Sequence, residues 1–411
     1  MKQGVKENAA VVNLDGAMEQ RPFKRESLKS HKSRENLKSI ISLFVVFLCI
    51  SCNNIVKDGA LTTIDLVTAT RKPVTVEDVF DRVEYVILET SPECMVSDRV
   101  KLYVTELHII VTCQRFHNAF LFARNTGEFI KQIGRRGRGP GEYSSLIGHN
   151  EFDEVNQVMY FNKGQDWLGI HIETEELSTI AKPQLGGIPM GPVVLQAVQD
   201  FFALDSSFYY GFVNNFTGDN PDMLVIFDEK GAIYKTFPNY QVFDKLKPSQ
   251  FGVLPGEYYR FNGNHYFKEP FYNDTIYRVT RDTIYPHLVF SLGNKQPDSY
   301  LRESDNKNKD VYEIRLIGEC ERFVLFYTSD FSAYYDKTLN KTFICENHYE
   351  IDDFLEFIPR HMNSEGEVYG VLEAIDVVDF FEKNKDFRSD LEHLYGIAEE
   401  DNPVVVIAKL K

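Results

Sequence analysis

The sequence predicts an all-β protein, a six-bladed β-propeller with a short helical insertion near the C-terminus. Three observations carry the prediction. From Val79 onward, short runs rich in β-branched and aromatic residues follow one another, separated by Gly, Asn, Asp and Pro turn signals. They fall into six units of roughly 55–60 residues with about four strands each, a repeat closer to a propeller blade than to a sandwich. The 32 phenylalanines, 22 tyrosines and 43% hydrophobic content suit strands and are enough for a sizeable core.

In chain order, the first 38 residues are polar and basic, and Ile40 to Ile50 is apolar except for Ser42. That run falls short of the about 20 residues a bilayer span needs, and a charged region followed by a short apolar one reads as a signal peptide over 1–51. Its end, Leu48-Cys49-Ile50-Ser51-Cys52, resembles the bacterial lipobox. Cys52 is therefore the expected lipid attachment, and the cell envelope, on a bacterial membrane, the expected location. Ordinary cleavage with Cys52 a plain cysteine, or an uncleaved anchoring helix, are the alternatives. The long basic leader leaves Met18 as a possible true start. Residues 52–74 are mixed and polar and read as a lipid-anchored tether, with the propeller over 75–411.

The first unit takes Tyr85–Thr90, Val100–Thr105, His108–Cys113, Ala119–Ala123 and Phe129–Ile133. The second takes Val155–Phe161 and Gly169–Ile172. Val193–Val198, Phe201–Leu204, Tyr209–Val213, Met223–Phe227 and Ala232–Phe237 make the third. Glu257–Phe261, His265–Phe267, Thr275–Val279 and His287–Leu292 make the fourth. The fifth has Val311–Ile317, Phe323–Tyr327, Ala333–Asp336 and Thr342–Cys345. Glu356–Arg360, Val368–Leu372 and Val404–Leu410 fit the sixth. Asp376 to Tyr395 interrupts this pattern with Val377, Phe381, Leu391 and Leu394 near helical spacing, Asp376 as N-cap and Gly396 as a stop. Asn384-Lys385-Asp386 divides it. The apolar, β-branched Val404–Ala408 wants burial on both faces, and a propeller leaves exposed edges unless its ends join. It is expected to pair with strands near Val83–Leu88 and close the ring.

One stretch punctuates the chain. Phe129-Ile130-Lys131-Gln132-Ile133 runs into Gly134-Arg135-Arg136-Gly137-Arg138-Gly139-Pro140-Gly141-Glu142-Tyr143. Glycine tolerates positive φ and Pro140 fixes φ, so this is a tight, ordered connection. Gly139 and Gly141 are expected in conformations other residues avoid. A Walker loop needs Gly-Lys-Ser/Thr at its end, and a dinucleotide fingerprint needs a helix after the glycines; neither is present. The stretch is a loop joining two sheets, or an anion-binding rim formed by Arg135, Arg136, Arg138, Glu142 and Tyr143.

Ile-Gly-Arg-x-Gly-x-Gly-Pro-Gly-Glu-Tyr after a strand resembles the signature of the six-bladed β-propeller lipoproteins abundant in Bacteroidetes-type bacteria. Tyr85-Val86-Ile87-Leu88-Glu89-Thr90 resembles that family's opening strand. Asn273-Asp274-Thr275-Ile276-Tyr277, followed by Pro286, resembles its mid-chain blade, and Glu400 to Lys411 its terminal segment. The likeness runs from about Ala60 to the end. It implies a fold and an export route, and no particular reaction. Asp274-Thr275-Ile276 and Asp282-Thr283-Ile284 resemble the O-glycosylation signal of such exported proteins, or are plain strand edges.

Composition narrows the function. Net charge is −16, and nine basic and five acidic residues would leave with 1–51, taking it to −20. Such a chain lacks the basic face that nucleic acid or anionic lipid demands, so neither is an expected partner beyond the anchor. The ten histidines form no zinc-protease motif, no Cys-x-x-Cys or Gly-x-Ser-x-Gly occurs, and no cofactor, metal or catalytic residue is assigned. Asp219-Asn220-Pro221-Asp222 and Asp305-Asn306 lack calcium-loop spacing and read as turns. Cys94 with Cys113, and Cys320 with Cys345, could bridge neighbouring strands, or all four stay buried thiols. Two functions remain: a lipid-anchored binding or scaffold protein presenting a propeller face to a glycan, peptide or protein, and a lactonase-like hydrolase or lyase with a metal in the central channel. A channel site built from one residue per blade would leave no local motif.

Overall fold

The computed structural model describes residues 61–411 apart from 98–99, 191–192, 216–217, 241–242, 244–254, 271–272, 298–309, 347, 353–354 and 385–388. Cys52 and Asp305-Asn306 lie outside the described residues. Six four-stranded antiparallel sheets follow one another in chain order as the blades of a propeller.

Blade one is Val100–Val104, His108–Cys113, Asn118–Ala123 and Phe129–Gln132, from the channel outward. Blade two is Ser145–Asp153, Val158–Lys163, Asp166–His171 and Leu177–Ala181. Blade three is Phe202–Ala203, Phe208–Phe212, Asp222–Asp228 and Ile233–Pro238. Blade four is Glu257–Phe261, Asn264–Lys268, Thr275–Val279 and Ile284–Ser291, and blade five Arg315–Glu319, Phe323–Tyr327, Ser332–Asp336 and Lys341–Cys345. Blade six assembles from both chain ends: His361–Met362, Glu367–Leu372, Val404–Leu410 and, outermost, Phe80–Ile87.

Six buried clusters fill the six gaps between neighbouring blades. Ile110 and Leu121 meet Met159 and Phe161 between blades one and two; Tyr160 and Trp167 meet Val213 and Phe227 between two and three. Similar clusters join three to four, four to five, five to six and six back to one. Each blade is thus buried on both faces, which is why its middle strands read as continuous apolar runs rather than alternating ones. Met159 and Phe161 face one gap and Tyr160 the other, because successive side chains point to opposite sides of a strand.

The ring closes as expected at the C-terminus. Val404–Leu410 pairs antiparallel with Phe80–Ile87 on one side, Tyr85 opposite Val406, and with Glu367–Leu372 on the other. Val404, Val406 and Ala408 face the blade-five side, while Val405 and Ile407 face blade one. Arg124 of blade one crosses this seam with a bidentate pair to Glu367 of blade six, both bonds 2.9 Å. Asn402, buried just before the closing strand, donates to the carbonyls of Glu89 and Cys94 and accepts from the Val96 N–H.

Several expectations are corrected. Tyr85 belongs to the outer strand of blade six, not blade one, because its partner is the last strand of the chain. Residues 61–74, read as tether, contain two strands: Thr62–Asp65 adds parallel to the outer edge of blade four and Thr70–Lys72 to that of blade five. Only one side of such an edge strand is buried, Ile64 and Leu66 fully and their neighbours barely, so the segment looks polar. The Val155–Phe161 run is broken by a turn in which Asp153 Oδ1 accepts from the Val155 and Asn156 N–H groups. Val193–Gln196 pairs with Gly187–Met190 in a hairpin outside blade three, and Leu355–Phe357 with Tyr349–Asp352 in another outside blade six. The helix is Ala374–Lys383 with Glu373, not Asp376, at its N-cap; Asp376 sits in the first turn, where a negative charge favours the helix dipole. Val377 and Phe380 pack with Leu391 and Leu394 onto the blade-six core. Cys94, Cys113, Cys320 and Cys345 are all free thiols. Thr275 opens a strand and Thr283 directly precedes one, so both stand at strand edges.

A chain ending at Asn402 lacks the strand between Phe80–Ile87 and Glu367–Leu372 and leaves both with unpaired edges. It should lose cooperative unfolding and become protease-sensitive. A melt near the wild-type temperature would show the closing strand to be dispensable.

Candidate functional site

The channel along the propeller axis widens into a cavity of about 410 Å³ to which the inner strand of every blade contributes. Inner strands are the natural site because only there do all six blades converge, and because loops and strand ends on a rigid ring can be polar without weakening the gaps.

Aromatic rings form much of the wall, and their hydroxyls are already engaged. Tyr103 donates to the Asn150 carbonyl at 2.6 Å, Tyr258 to Asp200 Oδ1 at 2.6 Å, and Tyr259 to Glu319 Oε2 at 2.6 Å. Burial pushes the Asp200 carboxyl up to about 6 against the pull of Tyr258 and the Gly256 N–H. Glu319 is the reverse case: burial opposes its charge, yet His287 at 2.9 Å and Lys337 at 2.6 Å hold it below the usual carboxylate range.

Both signs of charge line the ring. Blade two supplies Glu151, Asp153 and Glu154. Glu151 is paired with Lys101 of blade one at 2.9 Å, Asp153 is engaged by its own turn, and Glu154, raised by burial, accepts from the Ser364 N–H. Across the ring stand Arg260 of blade four, Arg315 of blade five and Arg360 at the entry to blade six. Glu257 takes Arg315 at 3.2 Å and the Leu316 N–H at 3.1 Å, and lies 3.8 Å from Lys268, a fully buried lysine capped by the carbonyls of Glu269 and Ile314. Arg260 donates to the Ala203 carbonyl at 3.0 Å and lies over the Phe202 ring; Arg360 lies over Tyr327, 4.5 Å from its centroid.

His361 borders the same cavity between Tyr103 and Tyr369. Burial, Lys101 and Arg360 push its imidazole down to about 3. Among the described residues, no group of three or more His, Cys, Asp or Glu side chains stands where it could hold a metal ion.

The glycine stretch lies elsewhere and lines none of this cavity. It links the outer strand of blade one to the inner strand of blade two, as a sheet-joining loop must. Glu142 is its centre: Oε1 accepts from Arg135 Nε at 2.8 Å, Oε2 from the Arg138 and Gly139 N–H groups at 2.9 and 2.7 Å. Those bonds, Gly139's first, hold its carboxyl below the usual range. Gly141 has φ +70, as expected, while Gly139 does not enter the left-handed region; a Cβ at Gly137 would meet the Glu142 carboxylate and have to displace it. Tyr143 is not on a rim. It is fully buried, stacked 4.4 Å from Phe161, and donates to the His117 carbonyl. Arg135, Arg136 and Arg138 are exposed. The channel residues, spread over all six blades, were invisible as a motif; their only signal was a charged or aromatic residue on the first strand of each unit.

Because folded His361 resists protonation until about pH 3 while an unfolded histidine takes a proton near 6.5, its contribution to stability is lost as pH falls through that window. His265, pushed down to about 4 by burial, acts in the same direction. The ceiling is about 1.4 kcal/mol per pH unit per histidine, and less for a ring that touches channel water. The melting temperature of His361→Gln should fall less than wild type between pH 7 and 5; an equal fall would show that His361 does not sense the acid.

A Bacteroides fragilis protein inferred to be exported has a crystal structure that superposes with a TM-score of 0.65 at 18% identity, covering 86% of this chain and all of that one. At that identity the likeness speaks for the fold alone. A dihydro-heme d1 dehydrogenase in complex with DHE (14% identical, 59% of this chain and 55% of that one, TM-score 0.34) and the WD40 domain of SCAP from fission yeast (8%, 71% and 61%, 0.33) are too distant to carry an argument. No curated protein matches the chain in sequence. The described propeller coincides with a family match over residues 61–409, and the chain therefore belongs to the DUF4934 family, a domain of unknown function.

Proposed function

We propose that this protein is an exported, lipid-anchored binding protein that holds part of a glycan or peptide in the propeller channel. The observation that carries the reading is the cavity of about 410 Å³ walled by all six inner strands. Ligand sites are commonly concave, of about 300–1,000 Å³, rich in aromatic surface and set with a few polar groups. The phenols of Tyr103, Tyr258 and Tyr259 are tied back into the wall, which fixes their rings as rigid surfaces. Rigid aromatic surface loses little conformational freedom on binding.

The test is a panel of oligosaccharides and peptides, followed by hydrogen exchange of the folded chain with and without a hit. Protection should concentrate on the inner strands around Lys101–Tyr103, Phe202–Ala203 and Tyr258–Arg260. Protection confined to outer loops, or no hit from the panel, would sink the proposal.

The export half rests on the basic leader, the short apolar run and Ser51-Cys52. The cell envelope is the matching location. Cys52→Ala should abolish lipid labelling and move the protein to the soluble fraction; unchanged labelling and partitioning would remove the anchor from the reading.

A further inference from the structure

We infer that the channel selects an anionic sugar, a ring-shaped ligand carrying a carboxylate or sulfate that Arg260 and Arg360 bind. The inference rests on the channel reading above and adds the ligand class.

The first argument is an accounting of charge. Four cationic side chains line the cavity. Lys101 is paired with Glu151 and Arg315 with Glu257. Among the described residues neither Arg260 nor Arg360 has a carboxylate within ion-pair distance. Arg260 has one bond, to the Ala203 carbonyl, and its buried Nε has no hydrogen-bond partner at all. A buried donor left without an acceptor costs about 1–3 kcal/mol, so an arrangement that keeps one invites an acceptor from outside the chain. That two guanidiniums stand without carboxylates is more telling in a chain with 61 acidic residues and a net charge of −16.

The second argument is geometry. Each guanidinium lies over a ring, Arg260 over Phe202 and Arg360 over Tyr327, at 5.1 and 4.5 Å from the centroids. A guanidinium placed over a ring gains a cation–π contact that restrains it, and its fork of donors suits a carboxylate or sulfate.

The third argument is that the chain already holds the acids of the cavity. Glu151 is paired with Lys101, Asp153 accepts from the Val155 and Asn156 N–H groups and the Asn156 amide, and Glu154 accepts from the Ser364 N–H. These groups can still exchange hydrogen bonds with hydroxyls. Carboxylates that can accept from hydroxyls, guanidiniums that can hold an acid group and flat aromatic faces in one cavity fit a sugar ring with one acidic substituent. His361 is neutral and adds no charge, so the selectivity belongs to the arginines.

The experiment titrates the full folded chain with galacturonic acid and its dimer, galactose and its neutral dimer, a galactose sulfate, and a tripeptide with a free carboxyl end. It is repeated in Arg260→Gln, Arg360→Gln and the double variant, with hydrogen exchange as the second readout. Acidic sugars should bind at least about tenfold more tightly than neutral ones, and each variant should lose about tenfold or more, as loss of a charge-assisted hydrogen bond does. Arg360 is exposed, so its variant tests the idea even if Arg260→Gln misfolds. Carboxylate over sulfate, or the reverse, names the acid. Equal binding of neutral sugars, preference for the peptide, or acid binding unmoved by Arg360→Gln with protection still on the inner strands overturns the anionic-sugar inference and leaves the channel reading standing. Protection away from the inner strands overturns the channel reading itself.

Discussion

Val404–Leu410 hydrogen-bonds on both sides and packs on both faces, and the rest of the propeller depends on it. Its neighbours are a strand from the start of the domain and one from the end. Its even-numbered side chains fill the gap toward blade five and its odd-numbered ones the gap toward blade one. A ring of blades has no intrinsic end, so each gap is stable only if both walls are present. One strand that completes two gaps makes closure a single event. Burying a Val or Ile side chain fully is worth about 1.5–3 kcal/mol, and five consecutive residues here are fully buried. The bidentate Arg124–Glu367 pair and the Asn402 hydrogen bonds fix the register of that seam rather than adding much to its apolar contribution.

The N-terminal segment supports the closure from outside. Thr62–Asp65, Thr70–Lys72 and Phe80–Ile87 lie in turn on the outer edges of blades four, five and six. Outer edges expose unpaired backbone groups that could recruit a second chain. One continuous piece covers those of blades four and five and supplies the outermost strand of blade six, and Ile64, Leu66 and Val74 anchor it. The N-terminal segment of the domain is therefore stitched across half the ring.

Inside the ring the chemistry changes character. Blade gaps are apolar and close-packed, whereas inner strands carry Lys101, Glu151, Glu257, Arg260 and Arg315. Most of these satisfy one another across neighbouring blades, which explains how charges sit there without unfolding the domain. Arg260 and Arg360 stand outside that arrangement, each over an aromatic ring.

The sequence by itself determined the repeat, the aromatic core and the closing strand. Those features are local: a β-branched run between Pro403 and Lys411 declares its wish for burial whatever its partner. It also marked Gly134 to Tyr143 as a fixed loop, because glycine at positive φ is a property of the backbone there. It placed Tyr85 with its neighbours in sequence and read 61–74 as a tether, because edge strands bury alternate residues and their partners lie more than two hundred residues away. Tyr143 looked like a rim residue until packing against Phe161 showed it to be core. Only the tertiary structure decided the channel. Lys101, Glu151, Arg260, Arg315 and Arg360 come from five different blades, and no spacing along the chain encodes which guanidinium finds a carboxylate when six strands converge.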